Sequence, residues 1–139
     1  MKKLIAILVA FFSLIGLASC QGTSGGSVSN NLKNNGYTVD TYTPEQYEAQ
    51  QKGALKCTKY TGMSQVIVGY NKDDNTVLIF VFDSSSNASK MIEDTDALDV
   101  LTRFADRYAD EGQTSKLGSH NNLVWVGSAK ARNAAGINI

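Results

Sequence analysis

Apolar and polar positions divide the chain into three stretches of different character. Leu4 to Leu17 is almost unbroken apolar sequence, Gln21 to Asn35 is mostly Gly, Ser and Asn, and from Gly36 onward apolar residues recur with strand and helix periods. In GYTVDTY, Tyr37, Val39 and Thr41 alternate with Thr38, Asp40 and Tyr42, which predicts a strand. Thr43-Pro44-Glu45-Gln46 then carries a helix start: a capping threonine, a proline suited to the first turn, and a glutamine placed to complete a capping box. That helix is expected to run to about Leu55, with Tyr47, Ala54 and Leu55 inward. QVIVGY and TVLIFVF, separated by a polar tip at Lys72 to Asn75, predict a hairpin.

A helical pattern extends from Ser84–Ser86 to about Asp110, but not on one face. At 100° per residue, Ala88, Met91 and Ile92 point about 130° away from Leu98, Leu101, Phe104, Ala105 and Tyr108. One straight helix cannot bury both groups against one sheet. A break is therefore expected around Glu93 to Asp96, with Asp94 or Thr95 recapping the second half. Gly112 closes the region, a loop is expected to Asn122, and LVWV at 123–126 predicts a last strand. Ser128 caps a short final helix that Gly136 ends. The expected fold is α+β: a two-layer, ferredoxin-like β-α-β-β-α-β sandwich with an antiparallel sheet and a short C-terminal helix.

The first stretch changes the picture of where the chain resides. Lys2 and Lys3, a short apolar run and small residues at its end describe a secretory signal peptide. The run is shorter than the roughly 20 residues of a transmembrane helix. Leu17-Ala18-Ser19-Cys20 resembles the lipobox of bacterial lipoproteins at all four positions. The resemblance implies signal peptidase II cleavage between Ser19 and Cys20 and a diacylglyceryl thioether on Cys20. It also implies anchoring to a membrane on its extracytoplasmic face, in the bacterial cell envelope. Two acyl chains hold a protein far more firmly than one.

The expected organisation is a signal peptide at 1–19, lipidated Cys20 with a flexible tether at 20–35, and one α+β domain at 36–139. A tether of this composition would reach about 20 Å over a dozen residues. GYTV, FDS and VWVGSAKA give the mature part a loose similarity to small uncharacterised envelope lipoprotein domains, which implies no activity.

Charge narrows the function classes. The chain has 13 basic and 13 acidic residues, and loss of Lys2 and Lys3 leaves 11 basic against 13 acidic. This near balance offers no footprint for nucleic acid and no polybasic membrane patch. With Cys20 lipidated, Cys57 has no disulfide partner, and a free cysteine of this kind reads as a small buried hydrophobe.

The lone histidine, His120, reads as a loop residue with neither triad nor metal-ligand spacing around it. Asp73-Asp74-Asn75 reads as turn chemistry, and Glu93, Asp94, Asp96 and Asp99 as helix-start charge, neither with calcium-loop spacing. No catalytic, cofactor or metal residues are assigned.

VLIFVF remains the unusual feature, because it is apolar on both faces. Leu78, Phe80 and Phe82 form a face that a two-layer fold leaves uncovered, and so a candidate surface for a homodimer or an envelope protein partner. The leading reading is a non-enzymatic binding domain. The alternatives are a small envelope enzyme using carboxylates or Cys57, and a structural envelope component.

Overall fold

A computed structural model describes residues 23–138. The signal segment, Ser19, Cys20 and the first residues of the expected tether lie outside the described residues.

The protein is α+β, built on a five-stranded antiparallel sheet. The first helix, α1 (Gly25–Asn34), precedes β1 (Thr38–Tyr42), α2 (Pro44–Gln50) and a 3₁₀ turn at Cys57–Lys59. Then come β2 (Met63–Tyr70), β3 (Thr76–Phe82), α3 (Ser85–Glu93), α4 (Thr95–Tyr108), β4 (Leu117–His120), β5 (Leu123–Gly127) and α5 (Ala129–Ala134). The strand order is β1-β2-β3-β5-β4, so the expected ferredoxin-like order is not the one formed. β1 pairs with β2, β2 with β3 and β4 with β5, while β5 rather than β4 lies beside β3 after the α3–α4 excursion.

Helices cover both faces of this sheet, giving three layers where two were expected. Val66, Leu78, Phe80, Phe82, Val124 and Val126 face Tyr47, Met91, Ala97, Leu101 and Ala105, contributed by α2, α3 and α4. Ile67, Val77, Ile79, Val81, Leu123 and Trp125 face Val28 and Leu32 of α1 and Ala131 of α5, joined by Ala135 and Ile137 just beyond. β3 lies at the centre and every one of its residues is buried, which is why its sequence is apolar on both faces.

The two helical layers correct two expectations. Residues 25–34 are helical, not tether: Ser24 accepts a hydrogen bond from the Ser27 N–H at 3.0 Å, and Val28 and Leu32, one turn apart, are fully buried. The second correction concerns Leu78, Phe80 and Phe82, which are 2%, 0% and 2% exposed. Their face is closed by helices of the same chain.

The expected caps form. Thr43 and Gln46 make a reciprocal capping box with Pro44 in the first turn. Asp94 ends α3 and caps α4 through the Asp96 N–H, so the helical region breaks where its two apolar stripes diverge. Two elements differ from expectation. The helix after Thr43 stops at Gln50, because Lys52 and Gly53 both take positive φ and turn the chain back. The stretch expected as loop before Asn122 contains an edge strand, β4.

Candidate functional site

The turn after α2 builds one wall of a groove. Glu48 accepts hydrogen bonds from the Thr58 N–H at 3.0 Å and the Thr58 hydroxyl at 2.8 Å, pinning residues 51–58 against α2. These bonds hold the Glu48 carboxyl below its ordinary range. The pinned segment stands apart from α4, leaving a cleft of about 420 Å³ between them.

Tyr47 and Leu55 form one side of the cleft, Leu78 of β3 is part of the floor, and Val100, Leu101, Phe104 and Tyr108 of α4 form the other side. The Tyr47 ring meets Phe80 edge-on at 6.2 Å, and the Phe104 and Tyr108 rings lie 4.7 Å apart. Arg103 and Arg107 are the charged side chains lining it. Arg103 donates to Asp99 at 3.1 Å along the helix, and the Arg107 guanidinium lies 5.3 Å from the Tyr108 ring centre.

A second crevice of about 280 Å³ continues the groove, sharing Ala54, Leu55, Val100 and Arg103 with the first and adding Lys56, Lys59, Tyr60, Asp96 and Asp99. At this end Asp94 is gripped by Lys59 at 2.9 Å and by the Tyr60 hydroxyl at 2.8 Å. Hydrogen bonds from Lys59 and then Tyr60 lower its carboxyl to about 2.

The residues singled out in the sequence fall in different places. Cys57 is fully buried in the α2–α4 core, where burial, and then the charge of Glu48, raises its thiol to about 12. A thiol so raised is almost wholly protonated near neutral pH and a poor nucleophile. His120 is the last residue of β4, half-buried, and paired with Leu123. Asp73 and Asp74 form the β2–β3 tip, where the Asn71 side chain accepts from the Asp73 and Asn75 N–H groups and Asp74 takes a positive φ. Glu93 to Asp99 form the α3–α4 junction. Among the described residues, no group of three or more His, Cys, Asp or Glu side chains stands close enough to hold a metal ion.

Sequence reasoning missed the groove itself. Its arginines sit at i and i+4 on an ordinary amphipathic helix, and only the backward turn at Lys52–Gly53 sets a wall against them. Chemically, the cleft offers an apolar and aromatic lining with two guanidinium groups beside it, which suits holding a ligand more than transforming one.

Compared with protein-family models, curated proteins and solved structures, the chain matches none. No helix among the described residues is long and apolar enough to cross a membrane.

Proposed function

We propose that this is a lipid-anchored bacterial lipoprotein on the extracytoplasmic side of an envelope membrane, carrying a non-enzymatic binding domain. The anchor reading is carried by Leu17-Ala18-Ser19-Cys20 standing directly behind a short apolar run with a basic start. The binding reading is supported by the cleft between the 44–60 segment and α4, and by burial of the Cys57 thiol that an enzymatic alternative would use.

Two substitutions test the two halves. Cys20→Ala should abolish labelling by fatty acid and leave the precursor uncut after Ser19. Processed, membrane-bound protein from that variant would remove the anchor reading. Arg107→Glu reverses charge at the rim without entering the core, and should weaken ligand binding while leaving the thermal transition unchanged. Undiminished binding by that variant would move the binding site elsewhere.

A further inference from the structure

The hydrogen bonds around Asn122 decide how far the folded protein can stand from its anchor. Asn122 is buried between β4 and β5, and its side chain forms a clasp on the start of the described chain. The Thr23 N–H donates to Asn122 Oδ1 at 2.7 Å, and Asn122 Nδ2 donates to the Thr23 carbonyl at 2.9 Å and to the Phe82 carbonyl at 3.0 Å. The Asn122 backbone carbonyl accepts from the Phe82 N–H at 2.9 Å, so the clasp is fastened to the end of the central strand. One residue later Ser24 caps α1, and α1 is packed under the sheet by Val28 and Leu32. Thr23 is therefore a fixed point of the fold.

Only Gln21 and Gly22 separate Thr23 from Cys20. Fully extended, the three steps from Cys20 to Thr23 span at most about 11 Å. We infer that the end of the sheet at Asn122 rests against the lipid headgroups, which places the β2–β3 tip and the opposite end of the molecule outward. This rests on the Cys20 anchor proposed above. The occupant of this surface is a lipid headgroup layer, and the surface suits it. Exposed residues at this end include Ser24, Thr61, Asp83, Ser85, Ser86 and Asn121, all polar.

The large hydrophobic residue exposed among the described residues, Tyr70, lies at the other end, paired with Thr38 and Thr76. Contact with wetted headgroups, without insertion into hydrocarbon, follows from that distribution. The C-terminal end of α4, with Arg107 and Tyr108 of the cleft, then faces away from the membrane. Asp110 just beyond it is bonded to Ser128 and to the Lys130 N–H, beside the outward end of β3.

The test uses the full chain, processed in cells and reconstituted into vesicles whose headgroups carry an energy-transfer acceptor. A donor dye goes on Ser85→Cys at the near end or Asp73→Cys at the far end, because Cys57 is buried and Cys20 is blocked by lipid. From Phe82 to Thr76 the strand alone separates the two ends by about 20 Å. Transfer from Ser85→Cys should exceed transfer from Asp73→Cys severalfold, and a twelve-residue Gly/Ser insertion after Gln21 should erase the difference. Equal transfer from both positions in protein whose mass confirms the lipid would overturn the orientation and leave the anchor standing. A mass showing unmodified Cys20 would overturn the anchor and the orientation with it.

Discussion

Leu32 occupies the space that a side chain at position 69 would need. A Cβ built on Gly69 would lie 2.8 Å from Leu32 Cδ1 and 3.0 Å from Cδ2, and Leu32 is fully buried. The missing side chain in β2 is thus the seat of α1. Gly69→Ala should destabilise the fold by about 1–3 kcal/mol through overpacking. Leu32→Ala should cost about 2–5 kcal/mol by leaving a cavity. Because the two residues touch, the double variant should lose less than the sum of the singles, as read by urea denaturation.

Phe80→Asp separates a buried face from an interface. Phe80 is fully enclosed by the α2–α4 layer, so an aspartate there would be an unpaired buried charge costing several kcal/mol. The variant should lose the cooperative thermal transition, and Phe80→Ala should lose about 3–5 kcal/mol. A folded, soluble Phe80→Asp protein would contradict the enclosure described here.

Cys57 should resist thiol reagents in the native protein and react readily after denaturation. Burial raises its thiol to about 12 from an ordinary value of 9.0, so the folded form stays protonated well above neutrality. Between those two values the unfolded chain releases a proton that the folded one keeps, and stability should therefore fall as pH rises through that window. Cys57→Ala should flatten that alkaline decline, measured as the denaturation midpoint against pH.

Asp94 gives the opposite dependence in acid. Its folded value lies at about 2, below the ordinary 3.8, because Lys59 and then Tyr60 donate to its charged form. The stabilisation is fully present above the ordinary value and is lost as pH falls through the folded one. Asp94→Asn keeps a residue able to cap α4 but removes the charge. The variant should be less stable than the parent at neutral pH, with the two curves converging towards pH 2.

Where the local signal was strong, sequence and structure agree. Thr43, Ser84 and Ser128 cap helices, and alternation along VLIFVF assigns its side chains to two faces. The break at Asp94 was legible because a helix cannot turn its apolar stripe without interruption. What remained hidden depended on distant partners. α1 carries two buried apolar side chains within a Ser- and Asn-rich segment, and its stability comes from Ile67, Trp125 and α5, not from its own propensity.

β4 offers one apolar residue, Leu117, and is half-buried because it lies at the sheet edge. The groove required the pairing of Glu48 with Thr58, ten positions apart, which no periodicity shows. With α1 read as tether, one face of β3 lacked a cover; α1 and α5 in fact cover Val77, Ile79 and Val81, while Leu78, Phe80 and Phe82 pack against α2–α4.

The contact between α1 and α5 joins segments about a hundred positions apart and sets an order on folding. Asn31 Nδ2 donates to the Ala135 carbonyl at 3.1 Å across 104 positions, and Asn35 Nδ2 to the Ala134 carbonyl at 3.3 Å across 99. The β2–β3 hairpin and the α3–α4 pair close short loops and can form early, whereas these contacts close loops of about a hundred residues and form late. The single tryptophan, Trp125, is buried in this late layer with the Arg132 guanidinium 4.6 Å from its ring centre. Its fluorescence should therefore lag behind backbone circular dichroism during refolding, timing the moment at which α1 and α5 meet.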